Sequence, residues 1–418
     1  MRLGLALLAL LVPLVAGAQV WEKYIAPGIS YRMEVDSTVP RVVHALRFSL
    51  RSPARAISEL GGLKVYSDTE GKGRETISDL MKRTGATAAI NGDFFPFTGD
   101  PLGLMVREGE AISMPRPMRP AFGWGEAFVS TAFASGEIKI AGLGKEIPAT
   151  GLNQEAGLDD LVVNMSAAAY AVAEKGPARH AVVQIESGSP TPAGEIGGKV
   201  ISLSSEKKVP IEDGRLVITG TGSKMSFVES LSPGTPVTVS IKIGGFDWKK
   251  VRNSVGGGPY LVRDGKASID WDNAGFDAAF ATKRHPRSAA GFTSGGDLWF
   301  VAVDGRQPMS DGATLDELAA IMLSLGCVEA INLDGGGSTT MAVGGVVVNR
   351  PSEGKQRPVA NAVLLFGTAK PAETRPLSLK APASIVLGET AMLRVFDASG
   401  AQVPNVEVLW AAQGKAWV

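Results

Sequence analysis

The sequence predicts an α+β fold. It reads as a mixed β-sheet domain with a few helices and a cleft at the C-terminal ends of its strands, followed by a partial β-sandwich segment. Three observations lead there. Gly (51) and Pro (25) are abundant among 418 residues while aromatics make up 6%, which suits many strands and turns rather than helical repeats. Short alternating apolar runs recur along the chain. Two helical runs each end in a glycine and lead into an apolar strand that closes on Asn-x-Asp.

The N-terminus comes first. Arg2 precedes the apolar run LGLALLALLVPLVAG, and AGA at Ala16–Ala18 is a small-residue cleavage pattern. The mature chain is then expected to begin near Gln19, exported to the periplasm or outside the cell. A membrane anchor is the competing reading, but the run is short for a bilayer span, so no membrane contact is expected after cleavage. Charge is balanced, 42 Lys+Arg against 42 Asp+Glu, which gives no electrostatic case for nucleic acid. Cys327 is the single cysteine and excludes an intrachain disulfide; a small buried hydrophobe is the expectation. Oligomeric state is not legible.

Next come the elements of the main domain. APGISYRMEV and VVHALRFSL alternate as strands. A helix is expected over Ile77 to Thr84, capped by Thr76 and stopped by Gly85. GEIKIAGLG, RLVITGTG and GTPVTVSIKIGG read as strands in the middle of the chain. DWDNAG (270–275) lacks the ligands of a calcium loop and reads as a turn. A second helix is expected from Leu315 to Leu325, with Thr314 and Glu317 as a capping box. Leu315, Leu318, Ala319, Met322 and Leu323 form its apolar face. LMKRTGATAAINGD (80–93) aligns without gaps on IMLSLGCVEAINLD (321–334), which predicts two strands of one sheet delivering Asn91, Asp93, Asn332 and Asp334 to one cleft. After Pro371 and Pro376 the composition changes, giving a linker over 369–376. Residues 377–418 alternate as short strands and resemble the first half of a bacterial Ig-like domain of the Big family.

The chain shows no HExxH, Walker A, GxSxG or CxxC pattern. Its chemistry gathers in polar clusters. INGDFF holds Asn91 and Asp93. KRHPRSAAGF holds Arg284, His285 and Arg287. VAVDGRQPMSDG holds Asp304, Arg306 and Ser310. INLDGGGSTTM holds Asn332, Asp334, Gly335, Gly336, Gly337, Ser338 and Thr339. A weaker cluster holds Asn349, Arg350, Arg357 and Asn361. Alone, each reads as a turn or a solvated loop. Together they suit an anionic ligand. Bare glycine backbone admits close approach, its N–H groups can cradle phosphate oxygens, and arginine forks match phosphate geometry. Paired carboxylates suit glycoside chemistry.

In this order, GGGPYLVRDG, RHPRSAAGF, VDGRQPMSDGATLDELA, INLDGGGSTTM and VNRPSEGKQRPVANAVLLF resemble the phosphodiester glycosidase family, over roughly residues 25 to 368. Cys327 and LVVNMSAAA depart from its usual pattern. The resemblance implies hydrolysis of a sugar-1-phosphodiester, of the N-acetylglucosamine-1-phosphodiester kind, at the glycosidic bond. A phosphorylated carbohydrate would be the substrate. Under that reading Asp304, Asp334 and Asp93 are the catalytic candidates, and Arg284, Arg287 and Arg306 hold the phosphate with the N–H groups of Gly335, Gly336 and Gly337. Asn91 and Asn332 orient sugar hydroxyls, Ser338, Thr339 and Ser310 add hydroxyls, and His285 is a candidate acid. No cofactor is fixed, although clustered Asp and Asn oxygens also suit calcium or magnesium. Two other readings stay open: a module that binds cell-envelope phosphodiester polysaccharides without cleaving them, and a phosphodiesterase that cuts P–O.

Overall fold

The structure is a computed structural model, and it describes residues 18–66, 72–367, 377–380, 382 and 394–403. The expected signal sequence up to residue 17, the linker and most of the Ig-like segment lie outside the described residues. What is described there is one antiparallel hairpin, Ser378–Lys380 with Arg394–Phe396.

Strand outweighs helix by 47% to 10%, so the fold is mostly β and built of several sheets. Helix is a smaller share than the α+β expectation implied. The long alternating runs between residues 135 and 244 all became strands: Ser135–Gly142, Ala178–Gly188, Glu195–Ser204, Arg215–Thr221 and Pro236–Gly244. They belong to one eight-stranded sheet. Its apolar face, with Ile140, Val183, Ile218, Val239 and Ile241, packs on the short Met225–Ser230 helix through Phe227 and Val228.

Another eight-stranded sheet carries the site. Its order is Gln19–Ala26, Ile29–Asp36, Arg41–Ser49, Asp297–Val303, Arg287–Thr293, Cys327–Asn332, Tyr260–Arg263, Lys266–Ala267. Every pairing in it is antiparallel. One face holds Ala289, Val301, Val303 and Ala330 against the Leu315–Ser324 helix. The other face shares a core with two five-stranded sheets, through Leu46, Phe48, Phe300 and Ile331 meeting Phe122, Trp124, Val255, Met341 and Val363. Strands buried on both faces explain why the C-terminal motifs lie in nearly continuous apolar runs.

Both expected helices form. Ile77–Thr84 starts at Thr76, whose side chain accepts from Asp79 N–H, and stops at left-handed Gly85. Leu315–Ser324 has the Thr314/Glu317 capping box. It buries Leu315, Leu318, Ala319, Ile321 and Met322, with Leu323 partly buried against the same core. DWDNAG is a turn, and Cys327 is buried with its thiol pushed up to about 12 by that burial.

One expectation fails. The two Asn-x-Asp strands do not share a sheet. Ala88–Asn91 pairs with Met341–Val343 and Asn361–Phe366 in a five-stranded sheet, while Cys327–Asn332 lies in the eight-stranded one. Local similarity matched the units but does not decide which neighbours complete each ladder.

Candidate active site

The two strand ends nevertheless meet. Asp334 N–H donates to Gly92 O at 3.0 Å. The Asn91 amide donates to Asp334 O at 2.7 Å, and its Oδ1 accepts from the Ser288 hydroxyl at 2.8 Å and from Thr340 N–H at 3.1 Å. Asn91 is fully buried and bolts one sheet to the other. Asn332 is also fully buried and donates to Gly258 O at 2.8 Å. Each side chain thus gives a hydrogen bond to a backbone carbonyl, while Asn332 Oδ1 is buried without a partner.

The junction brings Asp93 and Asp334 together. Asp93 is buried, accepting at Oδ1 from Phe94 N–H (2.8 Å) and at Oδ2 from Gly103 N–H (2.7 Å). A Cβ on Gly103 would stand 2.7 Å from Oδ2, and one on Gly256 would collide with the same oxygen. Two bare glycines therefore make room for this carboxylate. Burial raises its pKa to about 6, against the two N–H groups and the charges of Arg119 and Arg116. Asp334 is half-buried and accepts from Gly335 N–H at 2.9 Å. Desolvation pushes it up to about 7, opposed by the Ser338 hydroxyl, Arg357 and the Gly335 N–H, and reinforced by the charge of Asp93. The charge of Asp93 adds to the desolvation that raises Asp334.

Asp304 stands elsewhere. It is buried, with Oδ1 accepting from Arg350 N–H (2.8 Å) and from the Asn349 amide (3.2 Å). Its Oδ2 lies 3.4 Å from His44 Nε2, and the Tyr31 hydroxyl lies 2.7 Å from His44 Nδ1. Asn349 also donates to Thr339 O and accepts from Met341 N–H. Ser310 is fully buried, donating to Asp304 O at 2.6 Å and accepting from Val42 N–H. Asp304 and Ser310, expected in the catalytic and substrate-binding sets, are thus hydrogen-bonded within the protein, and among the described residues neither bonds to Asp93 or Asp334. Both lock the strand that leads into the site.

The arginines divide in the same way. Arg284 lies on the surface with its guanidinium on Glu317, the capping-box residue, and near Asp311. Arg287 is buried and donates to the carbonyls of Ala313, Phe280 and Lys283; desolvation, then Arg306, lowers its pKa to about 10. In the structure both guanidiniums, two of the three expected phosphate holders, are paired within the protein. Arg306 is exposed, and its Nη2 lies 3.3 Å from His285 Nδ1 and 3.5 Å from where a Cβ on Gly336 would stand. His285 is bridged by backbone to Ala313, and burial then the charges of Arg287 and Arg306 lower its pKa.

The glycine turn works differently from the expected phosphate cradle. Gly335 N–H is used on Asp334, and Gly336 N–H on Pro286 O at 2.8 Å. Gly337 is bare because the Arg357–Glu353 ion pair lies against it. Arg357 also reaches the buried Ser338 hydroxyl at 3.4 Å. Thr339 is buried beside Ser288.

Sequence reasoning missed Arg119. It sits in RPMRP, immediately before the Pro120–Trp124 strand, where proline neighbours suggest an ordinary loop. Its guanidinium lies 4.5 Å from the Phe276 ring and 5.1 Å from the Phe94 ring. It is the electrostatic neighbour of both Asp93 and Asp334. Arg357 and Asn361 were visible only as part of the weak C-terminal cluster; Asn361 Oδ1 accepts from Asp93 N–H at 2.7 Å.

Among the described residues, no three His, Cys, Asp or Glu side chains gather as metal ligands. The carboxylate pair lies beside Arg119 and Arg116, whose charges oppose a divalent cation.

Residues 179–366 match the model of the phosphodiester glycosidase family. The SPbeta prophage-derived uncharacterized protein YomE of Bacillus subtilis is 38% identical over 117 residues, 28% of this chain and 18% of its own. The Bos taurus N-acetylglucosamine-1-phosphodiester alpha-N-acetylglucosaminidase is 34% identical over 103 residues, 22% of this chain and 19% of its own. The chain thus spans about a fifth of the length of the curated relatives it matches. A crystal structure of a hypothetical protein from Synechocystis has the same fold, with TM-score 0.68, 24% identity, and coverage of 81% of this chain and 62% of that one. No helix among the described residues is long and apolar enough to cross a membrane.

Proposed function

We propose that the chain is an exported glycosidase that hydrolyses a sugar-1-phosphodiester, of the N-acetylglucosamine-1-phosphodiester kind, at the C1–O bond. The observation that carries this reading is the Asp93–Asp334 pair, two carboxyls of raised proton affinity at the junction of two sheets. The family match over residues 179–366 supports the reaction class. Chemistry assigns the roles. The leaving group is a phosphomonoester, which departs without strong acid help. Water needs activation more than the leaving group needs a proton. Asp334 is the more open carboxylate, and it takes a proton from water as the water oxygen bonds to C1. The C1–O bond breaks, its electron pair goes to the phosphoryl oxygen, and free sugar and a phosphomonoester result. Asp93, closed in by its glycines, holds the proton affinity of Asp334 up by like charge. Ser338 and Arg357 favour the ionised form of Asp334, and Arg306 stands across the glycine turn.

The test is incubation with an N-acetylglucosamine-1-phosphodiester, reading free sugar and phosphomonoester, beside Asp334→Asn. Turnover by the wild type, falling roughly 10²–10⁴-fold in the variant, is the expected result. Release of the sugar-1-phosphate instead would identify a phosphodiesterase. Binding without turnover would identify a binding module.

A further inference from the structure

The anionic half of the substrate needs a cation, and two expected holders are committed elsewhere. Arg119 is different. Its Nε and Nη1 are buried and have no hydrogen-bond partner in the structure. An unsatisfied buried guanidinium N–H is costly, and native structures rarely keep one without a purpose. No carboxylate takes these donors, although Asp93 and Asp334 are both electrostatic neighbours. The surroundings also fix the side chain. Phe276 and Phe94 flank the guanidinium at 4.5 and 5.1 Å, and Phe276 stacks on Phe280 at 4.4 Å. Aromatic faces hold a guanidinium plane without consuming its N–H donors. Gly258 packs its bare Cα against the same group: a Cβ there would lie 3.7 Å from both Arg119 Cγ and the Phe276 ring. The molecule thus holds a cation beside the carboxylate pair with two of its guanidinium nitrogens unpartnered.

We propose that Arg119 is the phosphate-recognition residue, taking the non-bridging oxygens of the phosphodiester on its unpartnered guanidinium N–H groups while Phe94 and Phe276 fix the plane. This rests on the functional reading above and adds a residue to it. The phosphoryl group lies on the Arg119 side of the carboxylates, so C1 faces Asp334. The site prefers an anionic aglycone over a neutral one. It also holds the phosphomonoester product, which makes phosphate an inhibitor.

Inorganic phosphate is the probe. Its binding to the mature chain is followed by calorimetry and by thermal shift, with Arg119→Gln, Arg119→Lys and Arg306→Ala alongside. Circular dichroism establishes that each variant is folded. Phosphate binding is expected in the wild type, absent in Arg119→Gln and weakened in Arg119→Lys, which keeps the charge without the fork. For an N-acetylglucosamine-1-phosphodiester, Arg119→Gln is expected to raise KM about 10- to 100-fold, the worth of a charge-assisted hydrogen bond. The same variant should leave a neutral aryl N-acetylglucosaminide within a few-fold. Wild-type phosphate binding that survives in Arg119→Gln and vanishes in Arg306→Ala overturns the assignment. So does a wild type that binds no phosphate. If phosphate binding depends on Arg119 but no phosphodiester is turned over, the glycosidase reading fails and the anion site stands. If turnover is unaffected by Arg119→Gln, the anion site fails and the glycosidase reading stands.

Discussion

Asp334 decides how rate depends on pH. Its folded pKa is raised to about 7, so it is a base only when pH exceeds that value. kcat/KM is expected to rise with unit slope below about pH 7 and level above it, read in a pH–rate profile on the phosphodiester. Asp93→Asn removes the like charge that helps hold that proton, so the limb should move to lower pH while a reduced rate remains. A limb that stays in place would separate Asp93 from the pair. Arg284 gives the opposite test. It serves Glu317 at the surface, so Arg284→Ala should leave kcat/KM within two-fold and barely move a denaturant melt. Such a result would also show why RHPRS misleads. Two arginines three apart on a loop and a strand look alike in sequence, yet one faces solvent and the other fastens a helix end to Ala313 O.

At the scale of elements, the local signals read well. Thr76 and Gly85 bound one helix and Thr314 with Glu317 starts the other, because caps act through backbone groups within a turn. Thr314→Ala should therefore cost about 1 kcal/mol by denaturant unfolding, with the site chemistry unchanged. The strand ends also carried the polar residues where alternation and Asn-x-Asp placed them. What could not be read was pairing. Nothing in AAIN or CVEAIN states that one strand joins Met341–Val343 and the other Arg287–Thr293. Asp304 illustrates the cost. It follows an apolar strand and precedes a glycine as Asp334 does, yet it is sealed by His44, 260 residues distant in sequence, and by Asn349. Arg119 was invisible for the same reason: its meaning comes from Asp93, Asp334 and Phe276, none of them close to it in sequence.

For the molecule as a whole, catalytic tuning opposes stability. A carboxyl whose folded pKa lies above its unfolded value of 3.8 favours the folded state at low pH, and that contribution is lost as pH rises through the folded value. Asp93 and Asp334 thus make folding progressively less favourable from about pH 4 up to their folded values of about 6 and about 7, with no further loss above. Glu317 works the other way. Its pKa is lowered by the Arg284 hydrogen bond, so its contribution is present above the unfolded value and is lost on acidification. Between these groups, stability should peak at mildly acidic pH and decline until about pH 7. Asp334→Asn keeps the shape of the side chain and removes the charge whose burial is unfavourable. Each unit of pKa displacement corresponds to about 1.4 kcal/mol, and discounting for the part-open position of Asp334 leaves on the order of 1–3 kcal/mol. The variant is therefore expected to unfold at higher denaturant than the wild type at pH 8, with the gap closing by pH 4, while it has lost turnover. Chemical melts of both proteins across pH 4 to 8 measure this. A gap that does not vary with pH would mean that Asp334 is not held against its charge, and the base assigned to the reaction would have to be sought elsewhere.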